Sequence, residues 1–119
     1  MVNSYRDLDV WNRSMELVEM VYLISKELPD TERFGLITQM QRAAVSIPSN
    51  IAEGYGRGGG NYRSHVLIAK GSLMELETQL ELCVRLQLIK KDRVLDCWKA
   101  SQDVGRMLTK LSLALVRKK

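Results

Sequence analysis

Two stretches of the chain place residues at alternating spacings of three and four. Val66, Ala69, Leu73, Leu76, Leu80 and Cys83 form one row; Val94, Cys97, Ser101, Val104, Leu108, Leu111 and Leu115 form the other. That period keeps one side of a helix against a partner helix at a shallow crossing angle, and it is incompatible with the two-residue period of a strand. Two further segments are helical in period. The first, from about Asp9 to Leu28, carries Trp11, Met15, Val18 and Tyr22 on one stripe, with Leu17, Val21, Ile24 and Leu28 beside it. Pro29 stops it, because proline disfavours helical geometry in the residue before it. The second, about Thr31 to Glu53, turns Leu36, Met40, Ala43, Ala44, Ile47 and Ile51 inward. Pro48 lies inside it and predicts a kink rather than an end, since Ile47 and Ile51 keep the spacing across it. The glycine-rich run 54–60 reads as a flexible joint, with Asn61 capping the third helix and Asp92 the fourth. Four helices with short connections predict an all-α fold: one antiparallel up-down-up-down four-helix bundle over 1–119, with helices at about 9–28, 31–53, 61–89 and 92–116.

At 119 residues, 45% hydrophobic and 27% charged, the chain buries enough surface to fold without disulfide or metal staples, which excludes global disorder. No apolar run approaches the ~18 residues needed to span a bilayer, so no membrane association is expected. The start, Met1 to Asp7, lacks the basic-then-apolar pattern of a signal peptide; a cytoplasmic protein with reduced Cys83 and Cys97 is expected. Charge is unevenly distributed. Residues 1–60 carry 6 Lys/Arg against 8 Asp/Glu, whereas residues 61–119 carry 12 against 6. A basic second half favours an anionic partner, RNA or DNA foremost.

The chemistry of an enzyme is missing. A carboxylate-bridged metal site in a bundle requires a Glu-x-x-His on each of two helices, and the single histidine, His65, follows Tyr62 at that spacing. Gly54, Gly56 and Gly59 match a dinucleotide fingerprint formally but follow a helix rather than a strand. Two cysteines and one histidine do not complete a zinc site, so Cys83 and Cys97 read as buried core thiols. No catalytic residue, metal or cofactor is expected.

Two polar features remain. Gln39, Arg42, Ser46, Asn50 and Glu53 form a stripe on the second helix, answered on the third by Ser72, Glu75 and Gln79 beside Gly71. Short, mixed polar residues next to a helix-interior glycine, which costs about 1 kcal/mol relative to alanine, indicate packing with close backbone approach. The contact is either the neighbouring helix or another subunit, which makes Ser46, Asn50, Glu53, Gly71, Ser72 and Glu75 candidate interface residues. The fourth helix carries Lys99, Asp103, Arg106, Lys110 and Arg117 away from its apolar row. Pairing of Lys99 with Asp103 would leave Arg106, Lys110 and Arg117, with Lys118 and Lys119, as a phosphate-contacting surface. Arg42, Arg57 and Arg63 near the glycines form a rival surface. With seven aromatics, of which Trp11, Tyr22, Phe34 and Trp98 read as core, binding is expected to be phosphate-driven and tolerant of sequence.

The string RAAVSIPSNIAEGYGR at 42–57, with IAKGSLMELETQL at 68–80 and YRDLDVW at 5–11, closely resembles the bacterial four-helix-bundle proteins encoded in intervening sequences of 23S ribosomal RNA genes. The resemblance spans nearly the whole chain. It also implies kinship with the accessory variability protein of diversity-generating retroelements, a ring of five identical subunits with a basic surface, no enzymatic activity and, for the retroelement member, binding of nucleic acid and a reverse transcriptase. A structural adaptor, whose ring docks a protein partner, is the alternative expectation.

Overall fold

The computed structural model describes residues 2–116 and contains four helices: α1 (Asp9–Ser25), α2 (Leu36–Arg57), α3 (Gly59–Arg85) and α4 (Lys91–Ala114). They form an elongated bundle of 50 × 24 × 23 Å in which each helix packs on its two neighbours in chain order, α4 closing back on α1. Along α2 and α3, Ser46 meets Ser72 while Asn50 meets His65. Rising numbers on one helix thus face falling numbers on the other, which makes the pair antiparallel.

The row on α3 is wholly buried, and on α4 the row is buried from Val94 to Leu108 and half-buried at Leu111 and Leu115. Leu17, Val21, Met40, Ile47 and Ile51 complete the centre, each with no exposed surface. Of the two α1 stripes one is fully core and the other only in part. Val10, Ser14, Leu17, Val21, Ile24 and Leu28 face inward; Trp11 and Val18, one residue and about 100° further round, are half-buried against the core, whereas Met15 and Tyr22 are exposed. Phe34, expected in the core, is 90% exposed: it precedes α2 on a turn, with the Arg33 guanidinium 6.0 Å from its ring.

The helix boundaries also differ from the sequence reading. α1 ends at Ser25, and residues 26–28 tighten into three-residue hydrogen bonds before Pro29. α2 begins at Leu36 rather than at 31, after a 3-10 turn at Asp30–Glu32, and runs through buried Pro48 to Arg57 rather than 53. α3 spans 59–85 rather than 61–89, and α4 91–114 rather than 92–116. The glycine run is therefore not a loop. Gly54 and Gly56 are helical, and the corner is Gly58 alone, at φ 69° and ψ −173°, followed by Gly59 at φ 56°. Those two left-handed values account for two of the glycines. Asn61 lies inside α3, whose cap is Gly58, and Asp92 lies in the first turn of α4, whose cap is Lys90.

Candidate functional site

The one-residue corner fixes the register of α2 against α3, and a row of polar side chains follows from it. Asn50 Nδ2 donates to the Ser46 carbonyl at 2.8 Å and to Ser46 Oγ at 3.0 Å, which leaves Asn50 Oδ1 as acceptor for His65 Nδ1 at 3.1 Å. Ser46 Oγ is 2.8 Å from Ser72 Oγ. The other ring nitrogen of His65 is 3.8 Å from Glu53, which pairs at 2.9 Å with Arg57. Gly54 makes the close approach possible: a Cβ there would lie 2.7 Å from His65 Cβ and 3.1 Å from the Tyr62 carbonyl oxygen. Tyr62 packs edge-on against Tyr55, and burial beside that ring raises its phenol above the ordinary range. One heptad beyond Ser72, Gln79 is buried with Oε1 unpartnered among the described residues.

Ser46, Asn50 and Ser72 are thus placed against a helix of their own chain, with Glu53 at the end of the row. Gly71 and Glu75 lie on the exposed side of α3. A Cβ at Gly71 would meet nothing within 4 Å, so the close approach expected there belongs instead to Gly54.

The cations sort differently from expectation. Asp103 does not pair with Lys99; one of its oxygens accepts from Arg13 of α1 at 2.9 Å and the other from Arg106. Arg106 is therefore not a free cation, having an acid three residues before it. Lys110 is exposed, with no carboxylate at ion-pair distance among the described residues, and shares a groove with Lys70 of α3 and Arg106. Arg63 Nε donates at 3.1 Å to the carbonyl of Ser112, in the last turn of α4. That turn has no basic residue of its own, so Arg63 supplies the cation that complements the helix C-terminus. The contact carries Arg63 to the same end of the bundle as Lys110, with Arg57 at the neighbouring corner. Of the three residues of the rival surface, only Arg63 touches α4, while Arg57 is paired with Glu53. Arg42 is exposed in the second turn of α2, apart from this cluster, and Arg117, Lys118 and Lys119 lie outside the described residues. Lys70 was missed by sequence reasoning because its neighbours sit on another helix.

Cys83 and Cys97 are buried free thiols, pushed up by burial to about 11 and about 12, with Cys83 Sγ 3.7 Å from Met40 Sδ. Such thiols are poor nucleophiles at neutral pH. Among the described residues no group of three or more His, Cys, Asp or Glu side chains is placed to hold a metal, and no helix is long and apolar enough to cross a membrane.

The motifs shared with the ribosomal intervening-sequence proteins fall on these contacts. In the segment 5–11, Asp7 closes a capping box with Ser4 and Tyr5 packs edge-on against Trp11 at 5.2 Å. A family model described as 23S rRNA-intervening sequence protein matches residues 6–110. A crystal structure of a protein of unknown function from the S23 ribosomal protein family of Bacteroides thetaiotaomicron is similar with a TM-score of 0.79. It is 23% identical, over 87% of this chain and 97% of that one, which shows a shared fold. No curated protein matches the chain.

Proposed function

The chain belongs to the 23S rRNA-intervening sequence protein family, and from that membership and its surface charge we propose a non-enzymatic, cytoplasmic homo-oligomer that binds RNA or DNA through phosphate contacts. The observation that carries the reading is the convergence of Lys70, Arg106 and Lys110 on one groove, at the end of the bundle to which Arg63 is also drawn. Lys70, half-buried, and Lys110, exposed, come from different helices and have no carboxylate partner among the described residues. A non-enzymatic role is supported by what the reactive groups do instead. His65 is held between Asn50 and Glu53, and burial keeps both thiols protonated.

The assembly we propose is the five-subunit ring implied by the motif resemblance and by the kinship it suggests with the retroelement accessory protein. Gly71 and Glu75, on the open side of α3, are its candidate contacts, alongside the exposed Leu67 of that helix. A ring repeats a weak basic patch and multiplies avidity without new contacts. Light scattering should report about five times the 13.6 kDa chain mass; a monomer at micromolar concentration refutes the assembly.

Fluorescence anisotropy with labelled RNA and DNA tests binding. Affinity should fall steeply and linearly on a log–log salt plot. Lys70→Glu with Lys110→Glu should weaken binding to every sequence alike while helical content is retained. Failure of the parent protein to bind either nucleic acid at low salt refutes the reading. The exposed Phe34 and the apolar side of α3 favour a second reading, an adaptor that docks a protein partner. Its binding would be far less sensitive to salt.

A further inference from the structure

α3 and α4 leave a furrow of about 510 Å³ along their outer edge. Its upper half has cations on both walls, Lys70 on α3 and Arg106 and Lys110 on α4, over an apolar floor that includes Met74 and Leu113. Both floor residues stand open, at 56% and 66% exposure. Met74 and Glu77 also line the next stretch of the furrow, which continues to Trp98; expected in the core, Trp98 packs against it but is only half-buried. Gly105 keeps the floor bare beside Leu73, since a Cβ there would already lie 3.3 Å from Leu73 Cδ2. Asp103 stands beside Arg106, its charge shared with Arg13, and leaves Lys70 and Lys110 as the furrow's unpaired cations among the described residues; the carboxylates that line the furrow lie lower, where Glu77 accepts from Gln102 at 2.9 Å and Glu81 pairs with Arg85.

We propose that this furrow takes single-stranded in preference to duplex nucleic acid, its phosphates against Lys70, Arg106 and Lys110 and its bases laid on Met74, Leu113 and Trp98. The proposal rests on the nucleic-acid reading above and adds strandedness to it. Packed helices lie about 8–10 Å apart, so a furrow between two of them is about one side chain wide. A duplex keeps its bases stacked inside and offers only phosphates to such an edge, whereas a single strand can splay bases onto an apolar or aromatic floor. From Lys110 to Trp98 along α4 is about 18 Å, the length of about five stacked nucleotides.

Trp98 is one of two tryptophans, so Trp11→Phe leaves it as the sole tryptophan, whose emission is excited selectively over the four tyrosines. In that background an unstructured oligo(U) of about twelve nucleotides and an RNA duplex of about the same length are titrated at about 50 mM salt. The single strand should bind at least about tenfold tighter and change Trp98 emission. Met74→Ser with Leu113→Ser alters two exposed positions without changing charge, so the fold and the salt slope should persist. Single-strand affinity should drop at least about fivefold and duplex affinity should hold. Equal affinity for duplex, or single-strand binding with unchanged Trp98 emission, overturns the furrow while the nucleic-acid reading survives. Failure of both probes to bind overturns both.

Discussion

Replacing Gly54 with alanine probes the α2–α3 corner through a single methyl group. Helix propensity favours the change by about 1 kcal/mol, since Gly54 is helical and has no left-handed φ. Against that, the new Cβ would sit 2.7 Å from His65 Cβ and 3.1 Å from the Tyr62 carbonyl oxygen. Neither neighbour is the free end of a flexible side chain, so relief requires α3 to move away and to loosen the Asn50–His65 contact. Overpacking of this kind costs about 1–3 kcal/mol, and the loss of a neutral hydrogen bond about 1 kcal/mol more. The net expectation is a destabilisation of about 1–3 kcal/mol. A chain of this length has an unfolding entropy of about 0.25 kcal/mol/K, so Tm should fall by about 4–12 °C. Gly56, two residues on, is the control. It is helical and exposed, and a Cβ there would meet nothing within 4 Å, so Gly56→Ala should raise Tm by about 2–4 °C. Thermal unfolding followed by circular dichroism reads both. His65→Ala should not rescue Gly54→Ala, because alanine retains the atom that clashes. Shifts of the same sign for the two glycines would refute the close approach and restore a flexible glycine joint.

Asn50→Ala removes the residue that joins Ser46 to His65 and should cost about 1–2 kcal/mol; a thermal shift no larger than that of exposed Glu75→Ala would mean the row contributes nothing. At the α3–α4 turn, Gln87 is left-handed at φ 59° and closes a Schellman motif through Gln87 N to Val84 O at 3.0 Å and Leu88 N to Cys83 O at 2.9 Å. Gln87→Gly should therefore stabilise by about 0.5–1 kcal/mol in denaturant unfolding, and a loss of stability would contradict that backbone geometry. Glu77 is held above its ordinary carboxylate value of 4.5, chiefly by burial, against hydrogen bonds from Ser101 and Gln102. Its folded form binds the proton more tightly than the unfolded form, so its contribution is best below 4.5 and worsens as pH rises through the folded-state value. Glu77→Gln should be the more stable protein at neutral pH, with an advantage that shrinks in acid; a pH-independent loss would show that the carboxylate is favourable where it lies.

Much of the fold was legible because helix burial is local. The period of 3.5 residues in α3 and α4 marks the residues that face a neighbour whichever helix that neighbour is, and the structure buries the α3 row entirely. The motifs around Ser46–Gly54 and Gly71–Glu77 were visible as departures from an ordinary solvated face. Sequence could not say what they touch, because each partner lies on another helix and depends on register. That register comes from a corner one residue long at Gly58, and a local reading spreads the same glycines into a flexible loop. Asp103 shows the limit most plainly. The local rule offers Lys99 at four residues, yet Arg13 approaches from ninety residues away and, with Arg106, takes both oxygens. The same holds for the candidate site. Lys110 was evident as a cation on an exposed face, but its pairing with Lys70 across a groove, and the drawing of Arg63 to the end of α4, exist only once α3 and α4 lie side by side. Spacing along the chain determined which face of each helix is buried, since 3.6 residues per turn relates neighbours within one helix. Which polar and charged groups meet was decided by tertiary packing, because that depends on the relative height and rotation of two helices, which no single period encodes.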